Sequence, residues 1–331
     1  MTAIDPALVK STLAEQVWRR NHRYAITDKD GKKIPFEMND AQQKFLTEIH
    51  SNNLILKARQ LGFSTFINLL QLDTALFVPN TACGVIAHTD DAAMELFRRN
   101  IKFPYDHLPD VVKTLNPPTS DSAHQIRFKN GSGIMVATSM RSGTIQILHI
   151  SEFGKICNQF PHRAREIVTG SLETVGKGNL VVIESTAEGK EGYFYEYVQT
   201  AKARSELGKK PGITDYRLHF FPWWQEPTYR LSAYQPLTPA LIQQFEVIES
   251  TMKTTLDAQQ RNWYAAKAAK LGDDVYREYP GTIDEAFYLS TKGAYFISEL
   301  SAARKAGRIG KVPHQPAINV NTWWDLGMDD C

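Results

Sequence analysis

The sequence predicts an α/β fold in which a mostly parallel β-sheet is flanked by helices. Short apolar runs alternate with segments of helical periodicity, the pattern of strand–helix–strand units with right-handed crossovers. The runs are apolar at successive positions, as strands are when helices cover both faces of a sheet. A chain of 331 residues, 42% hydrophobic and 22% charged, has a globular composition and room for two domains.

Two helices are predicted before the sheet begins. Residues 5–20 form the first, with Asp5 as its cap and Pro6 at its first position. The polar segment DKDGKKIP then predicts a turn, and NDAQQKFLTEIHS predicts a second helix capped by Asn39 or Asp40.

The alternation of strands and helices follows. LILKA (54–58) is the first predicted strand, and a helix runs from about Ser64 to Phe77. Later strands are predicted at CGVIAHT (83–89), GIMVATS (133–139), IQILHIS (145–151) and NLVVIEST (179–186). Further helices are predicted at 90–102, at PHRAREIVTGSLETV and at about 193–202.

The pattern changes near Tyr216. YRLHFFPWW predicts one last strand, and two helices follow it, one capped by Thr238 and one closed by Gly272. The basic segment 303–316 contains Gly and Pro and is typical of a linker, and a new strand begins after it. This half of the chain therefore predicts a helical subdomain.

Composition limits the cellular setting. The net charge of +2 does not by itself indicate nucleic-acid binding, so any such surface is expected to be local. Three cysteines, Cys83, Cys157 and Cys331, are widely spaced and favour a reducing compartment. No signal peptide and no apolar run of membrane-spanning length are found, so we expect a soluble intracellular protein.

The segment LILKARQLGFST (54–65) has the outline of a phosphate-binding loop. In the pattern GxxxxGKS, backbone N–H groups hold phosphates, the lysine neutralises them and the hydroxyl binds Mg²⁺. With Gly62 aligned to the second glycine, Ser64 takes the hydroxyl position, Phe63 replaces the lysine and Lys57 replaces the first glycine. Lys57 or Arg59 could supply the missing charge. An ordinary strand–turn–helix connection remains the alternative reading of the loop.

A second part of such a site is an apolar strand that ends in carboxylates. IQILHISEFGK leads into Ser151 and Glu152, and a glutamate there can act as a general base toward water. Ser151 replaces the aspartate that usually binds Mg²⁺, so it is expected to hold a metal weakly or through water. His149 is predicted to be a packed core residue, and Arg141 is a candidate for stabilising transition-state charge or for a surface ion pair.

Taken together, these segments resemble the large terminase subunit of tailed bacteriophages, from about Trp18 to the end. FEMNDAQQKFL is similar to the adenine-binding glutamine motif of that family, and KARQLGFST is similar to its deviant phosphate loop. MRSG before HISEFGK, VVIESTAEGKEGYFYE, FFPWWQEPTYR and REYPGTIDEAFYLS resemble further family segments in the same order. The resemblance implies a P-loop NTPase fold of the ASCE or RecA-like type with a C-terminal helical lid.

The resemblance also implies a role for each matching residue. Gln42 would contact adenine, Glu152 would activate water, Arg141 would complete charge stabilisation in cis or in trans, and Ser185 and Thr186 would couple γ-phosphate loss to motion. The phosphate loop would comprise Lys57 with the contiguous residues Arg59, Gln60, Leu61, Gly62, Phe63, Ser64 and Thr65. ATP and Mg²⁺ are the implied cofactors, with Ser64 and Ser151 near the metal.

The family normally carries a second, RNase H-like nuclease domain. TWWDLGMDD resembles the first strand of that domain, with Asp325 as a metal-binding carboxylate. Because a two-metal site needs carboxylates from several segments, nuclease activity is not expected of this chain. The expected division is a helical lead-in (1–39), an ATPase core (40–215), a helical lid (216–302), a linker (303–316) and the start of a truncated nuclease domain (317–331).

The implied function is an ATP-driven motor that moves double-stranded viral DNA into a procapsid. Its implied partners are DNA, a portal protein, a small terminase subunit and further copies of itself in a ring, in the host cytoplasm and transiently at the portal. Two alternatives remain open, a helicase-like P-loop ATPase and a degenerate DNA-binding subunit that does not hydrolyse ATP. Strand separation would favour the first, and absence of hydrolysis in a DNA-bound assembly would favour the second.

Overall fold

A computed structural model describes residues 15–141, 143–288, 303 and 306–308. The chain divides into two compact units, Met1–Leu289 and Ser290–Cys331, and the elements below all belong to the first. The predicted linker, the predicted strand after it and Asp325 lie outside the described residues, as does the start of the predicted helix 5–20. No helix in the part that is described is long and apolar enough to span a membrane.

In the described part of the chain, ten strands form a small hairpin and a large sheet. They are β1 (Ala25–Thr27), β2 (Lys33–Pro35), β3 (Asn52–Lys57), β4 (Ala82–Ile86), β5 (Pro118–Asp121), β6 (Gln125–Phe128), β7 (Gly133–Ala137), β8 (Ile145–Ser151), β9 (Val175–Ser185) and β10 (Arg217–Phe221). β1 and β2 pair antiparallel, and the other eight strands follow the order β10-β3-β9-β8-β4-β7-β6-β5. The strands from β10 to β7 pair in parallel, whereas β6 and β5 are antiparallel.

Helices cover both faces of the sheet. They are α1 (Gln16–Arg23), α2 (Asp40–Thr47), α3 (Phe63–Phe77), α4 (Asp90–Phe97), α5 (Phe103–Asp106), α6 (Asp110–Leu115), α7 (Phe153–Gln159), α8 (Pro161–Glu166), α9 (Gly192–Glu206), α10 (Pro239–Met252), α11 (Ala258–Leu271), α12 (Asp274–Glu278) and α13 (Ile283–Ala286). Alternate strand residues enter two different core clusters, as Leu54 and Leu56 enter one and Ile55 the other. The sheet is therefore the middle layer between two buried apolar layers.

The predicted α/β class and most predicted elements are confirmed. In the described part of the predicted helix 5–20, Glu15 is extended and α1 begins only at Gln16. Asn39 caps α2, Thr238 caps α10 and the backbone N–H of Gly272 closes α11. The helix predicted at 90–102 continues from α4 through a π-helical turn at Arg98–Lys102, and α8 continues through a second π-helical turn at Ile167–Ser171. β5 and β6 were not predicted, because their segments PTSD and QIRF lack the apolar character of the central strands. The β1–β2 hairpin was also not predicted, and β2 ends the segment DKDGKKIP that was predicted to be a turn.

The last strand also extends the sheet beyond the predicted core. The boundary predicted between residues 215 and 216 falls just before β10, which pairs in parallel with β3. Phe221 at the end of β10 is buried, and its carbonyl accepts a 2.8 Å hydrogen bond from the N–H of Ala58. The segment that leads into the C-terminal helices is thus joined directly to the loop after β3.

The order of the strands determines where a site can form. β9 lies between β3 and β8, and the carboxyl ends of these three parallel strands meet at one edge of the sheet. In the register, Glu184 of β9 is the partner of Ile55 on one side and of Ser151 on the other. Ligands of open α/β sheets bind outside the carboxyl ends of the strands.

Candidate active site

The loop between β3 and α3 has an unusual backbone. Gln60 and Gly62 adopt the left-handed conformation, with φ of 61° and 74°. The positive φ favours glycine at residue 62, and a Cβ there would lie 2.8 Å from Nε2 of Gln42, so the Gln42 side chain would have to shift. α3 starts directly after Gly62 without a side-chain cap. Its first N–H groups are therefore free to meet an anion at the positive end of a 15-residue helix.

Neighbouring segments hold this loop from outside. Asn39 Nδ2 donates to the carbonyl of Leu61 (3.2 Å), and Gln42 Nε2 donates to the carbonyl of Gly62 (3.0 Å). Gln42 is buried, and its side-chain oxygen also accepts from the N–H of Asn39 in a capping box. The Gln42 amide, predicted to contact adenine, thus lies against the loop between β3 and α3.

The other predicted loop residues divide between core and surface. Phe63, at the usual lysine position, is buried and packs on Phe45 and Phe221, with ring centroids 6.0 and 4.6 Å apart. Leu61 is also buried, whereas Gln60 is exposed. Thr65 Oγ1 donates to Asn100 Oδ1 (3.3 Å) inside the fold. Phe63 therefore anchors the loop to the core rather than contributing charge.

Lys57, the last residue of β3, is buried between two carboxylates. Its Nζ lies 3.3 Å from Oε1 of Glu152 and 3.2 Å from Oε2 of Glu184. Burial alone would lower the pKa of Lys57, but the two negative charges outweigh it and raise that pKa above its ordinary value. The side chain is therefore a fixed positive charge at the start of the loop.

Glu184, for which no role was predicted, lies at the centre of the site. Its Oε1 accepts hydrogen bonds from the hydroxyls of Ser64 and Ser151, the latter at 3.1 Å. Burial would raise the pKa of Glu184, but the charge of Lys57 and a hydrogen bond from His149 together lower it. Glu184 is therefore ionised although its side chain is fully buried.

His149 is buried as predicted, and it also contacts this carboxylate. The Nδ2 of Asn68 is a donor, and it lies 3.1 Å from Nδ1 of His149, so Nδ1 is the acceptor nitrogen. This network assigns Nε2 as the nitrogen that donates to the carboxylate, and it lies 3.3 Å from Oε1 of Glu184. The chain Asn68–His149–Glu184 therefore fixes the orientation of the buried carboxylate.

Glu152 follows the end of β8 in a strained backbone conformation. It has a φ of 55°, in the left-handed region that is uncommon for residues other than glycine. Such outliers cluster at functional sites, because the surrounding structure must maintain them. Its side chain is 32% exposed, in contrast to the fully buried Glu184. Glu152 is thus the carboxylate of this site that solvent can reach.

Ser185 and Thr186 lie at the end of β9 beside Glu152. Ser185 Oγ accepts from the N–H of Gly154 (3.0 Å) and makes a long contact, 3.5 Å, with Oε2 of Glu152. A Cβ at residue 154 would lie 2.8 Å from the carbonyl oxygen of Thr186, so glycine permits this close approach. The end of β9 is thereby joined to the first turn of α7.

Two predicted cations stand apart from the buried cluster. The side chain of Arg141 is 64% exposed, and its Nε lies 2.8 Å from Oε1 of Glu166. Arg59 is 59% exposed and pairs with Glu278 at 2.9 Å, which raises its pKa through the hydrogen bond and the charge. Among the described residues neither arginine contacts Lys57, Glu152 or Glu184.

The side-chain oxygens at the carboxyl ends of β3, β8 and β9 resemble the ligands of a Mg²⁺ ion bound with a nucleotide. Ser64, Ser151, Glu152 and Glu184 offer the oxygen atoms that this hard cation prefers. Within the described part of the chain no group of His, Cys, Asp and Glu is large enough to hold a metal alone. Mg²⁺ is usually bound by one or two carboxylates together with phosphates and water. The residues therefore fit Mg²⁺ bound with a phosphate ligand.

Comparison with known proteins gives a likeness of structure only. The sequence matches no family model and no curated protein. The structure is similar to the crystal structure of the HK97 bacteriophage large terminase, with a TM-score of 0.53 and 12% identity, covering 81% of this chain and 54% of that one. The Thermus phage P74-26 large terminase ATPase domain aligns with a TM-score of 0.46 and 14% identity, covering 74% of this chain and 94% of that domain.

The likeness to the HK97 protein confirms the predicted α/β fold, a mostly parallel sheet flanked by helices. This chain spans about half the length, 54%, of that terminase. A shared fold at 12% identity does not by itself carry an activity from one protein to the other.

Proposed function

We propose that this chain is the ATP-hydrolysing part of a motor that moves double-stranded DNA, of the kind formed by large terminase subunits. The observation that carries the proposal is the set of Lys57, Glu152, Glu184 and Ser64 at the carboxyl ends of β3, β9 and β8. A lysine, a hydroxyl and two carboxylates next to an uncapped helix N-terminus are the groups that phosphoryl transfer requires.

The loop is proposed to hold the triphosphate. Its backbone from Arg59 to Ser64 leads into α3, whose free N–H groups and helix dipole favour phosphate oxygens. The raised pKa of Lys57 keeps its ammonium charged. The ammonium is proposed to move from the carboxylates to the phosphates when the nucleotide binds. Gln42 is proposed to turn from the Gly62 carbonyl toward the adenine when the nucleotide binds.

Ser64 and Ser151 are proposed to hold Mg²⁺, the second through water. When bound, the ion neutralises charge on the phosphates as it builds up during transfer. The hydroxyl of Ser64 is supported in this role by its position in the first turn of α3, and Ser151 by its place at the end of β8.

Glu152 is proposed to orient and deprotonate the attacking water. Its carboxylate is reachable from solvent, and its pairing with Lys57 would be relieved once the lysine binds phosphate. Such a general base contributes about 10²–10⁴-fold to a rate. Ser185 and Thr186 are proposed to transmit the loss of the γ-phosphate, which the bond between Ser185 and Gly154 supports.

Arg141 is proposed to act on the nucleotide of a neighbouring subunit. Its exposed position and its pairing with Glu166 support a role in trans, because it lies apart from the cluster of its own chain. An arginine supplied in trans is worth about 10³–10⁵-fold in turnover. A ring of subunits would then be required for full activity.

The wider partners are proposals of the same kind. DNA would be bound through its phosphates, so binding should tolerate any sequence and weaken with salt. A portal protein and a small terminase subunit are the proposed protein partners, at the procapsid portal in the host cytoplasm. Nuclease chemistry is not proposed for this chain.

One observation favours the alternative of a subunit that binds DNA without hydrolysing ATP. Ser151 stands where an aspartate would normally bind the metal. The helicase-like alternative has less support, because among the described residues 222–288 form helices and connections rather than a second sheet. Hydrolysis measured on the purified protein separates the motor from the non-hydrolysing subunit.

The experiment is steady-state ATP hydrolysis with and without double-stranded DNA. The parent should turn over ATP, whereas Glu152→Gln and Lys57→Ala should lose most of that activity. Glu249→Gln is the matched control, because Glu249 also pairs with a cation, Arg261 at 2.7 Å, but on the C-terminal helices. Equal activity in all four proteins would contradict the proposed site, and no activity in the parent with DNA would favour the alternative.

A further inference from the structure

The carboxylate missing at residue 151 has a structural counterpart on the neighbouring strand. We propose that Glu184 of β9 supplies the carboxylate that holds the metal, in place of the aspartate that Ser151 replaces on β8. The inference rests on the proposed function and extends it by one residue. Three features of the described structure carry it: strand register, hydrogen bonds and charge.

The register places the two residues side by side. Ser151 and Glu184 are direct partners in the parallel pairing of β8 and β9. Partners on adjacent strands lie about 4.8 Å apart and point to the same face of the sheet. A glutamate is one methylene longer than an aspartate, so its carboxylate can extend from β9 toward the position that an aspartate on β8 would occupy. The proposed metal site thus keeps a carboxylate, which comes from β9 instead of β8.

The hydrogen bonds converge on Glu184. Both hydroxyls proposed to serve the metal, those of Ser64 and Ser151, donate to its Oε1. Its Oε2 is buried, and the cation it contacts among the described residues is Nζ of Lys57, 3.2 Å away. A buried carboxylate is costly without such a partner, and a metal ion would meet that need once Lys57 moves to a phosphate.

The charges of the cluster also leave room for a cation. Glu152 and Glu184 carry two negative charges, and Lys57 supplies one positive charge between them. Once Lys57 moves to a phosphate, the buried carboxylate of Glu184 loses its counter-ion, and a divalent ion would restore the balance. The contact from His149, itself held by Asn68, keeps the carboxylate oriented in the meantime.

The test uses Mn²⁺ as the probe ion and a non-hydrolysable ATP analogue, AMP-PNP. Electron paramagnetic resonance counts free Mn²⁺, and so gives the affinity of the protein–nucleotide complex for the ion without any turnover. Glu184→Gln should weaken Mn²⁺ binding by roughly 10–100-fold. Binding of AMP-PNP in EDTA should persist, because Lys57 and the loop remain. Glu249→Gln should leave both measurements unchanged.

A second variant moves the carboxylate back to the other strand. Glu184→Gln combined with Ser151→Asp should recover most of the lost Mn²⁺ affinity, and this variant also serves if the single one fails to fold. Unchanged Mn²⁺ affinity in Glu184→Gln, or failure of the folded double variant to bind Mn²⁺ more tightly than the single one, would overturn the inference and leave the proposed function standing. Absence of AMP-PNP binding by the parent in EDTA and in Mn²⁺ alike would overturn both.

Discussion

Lys57 and Arg59 lie two residues apart at the start of the same loop, yet their surroundings are opposite. Lys57 is buried between Glu152 and Glu184, whereas Arg59 is 59% exposed and pairs with Glu278 near the C-terminal helices. A buried charge is costly to leave unpaired, and an exposed pair contributes little. The comparison teaches that the position of a charge, more than its type, decides what it does in this protein.

The largest effect is expected for Arg141, because this exposed cation should affect ATP hydrolysis only after subunits assemble. Arg141→Ala should leave ATP hydrolysis of the isolated chain unchanged and reduce it by about 10³–10⁵-fold in an assembled, DNA-bound ring. The measurement is hydrolysis as a function of protein concentration, with oligomeric state followed by light scattering. An equal loss in the monomer and the ring would contradict a role in trans.

Lys57 should have the next largest effect, this time on stability. Lys57→Met removes the counter-ion of a fully buried carboxylate, and the free energy of unfolding should fall by about 3–5 kcal/mol. Urea unfolding at pH 7 measures it. Adding Glu184→Gln removes the stranded charge, so the double variant should be more stable than Lys57→Met alone. A double variant that loses the sum of both single effects would argue against the ion pair.

Glu285 is a part-buried carboxylate that pairs with no cation among the described residues, so it shows what burial does to an acidic group without a counter-ion. It accepts hydrogen bonds from Tyr264 and from the N–H of Gly281, each at 2.9 Å, and burial raises its pKa to about 7. Because the pKa is higher in the folded state than the ordinary 4.5, folding becomes less favourable as pH rises from about 4.5 to 7. In Glu285→Gln, the decrease in the free energy of unfolding over this pH range should be smaller by roughly 1–3 kcal/mol.

The Glu285 prediction is measured by urea unfolding of parent and variant between pH 5 and pH 8. The free energy of unfolding of the variant relative to that of the parent should increase across this range and become constant above pH 7. A constant difference at all pH values would mean that Glu285 titrates normally in the folded protein.

Arg59 should have the smallest effect. Arg59→Ala breaks an ion pair whose cation is mostly exposed, so unfolding free energy should change by less than about 1 kcal/mol. The hydrogen bond from the N–H of Arg59 to the carbonyl of Glu278 remains in the variant. Thermal unfolding checks it, with Lys57→Met measured beside it. Equal losses of unfolding free energy in the two variants would contradict the expected difference in stabilisation between buried Lys57 and exposed Arg59.

Much of the fold could be predicted because the central strands are apolar on both faces and the main helices begin at recognisable caps. The antiparallel strands β5 and β6 were missed because their segments are largely polar, and the π-helical turns were missed because local sequence does not distinguish them. Strand order, which puts β9 between β3 and β8, depends on packing between distant segments.

The site was predicted in part for the same reason. Lys57, Ser64, Ser151 and Glu152 stand in recognisable patterns, and the structure brings them together around one residue that had no assigned role. Glu184 lies within the apolar predicted strand NLVVIEST. A charged residue there is itself a signal of a functional site, because ionised side chains are rarely fully buried without partners. Its contacts with Lys57 and Ser64 depend on strand order and could not be read from spacing.

The most direct test of the central claim, that the strand-end cluster is an ATPase site, is to measure binding and hydrolysis of ATP in one sample. Single-turnover reactions with labelled ATP, double-stranded DNA and excess protein would compare the parent with Glu152→Gln. The account predicts equal amounts of bound ATP and hydrolysis slowed by about 10²–10⁴-fold in the variant. Equal hydrolysis rates, or ATP that binds neither protein, would contradict it.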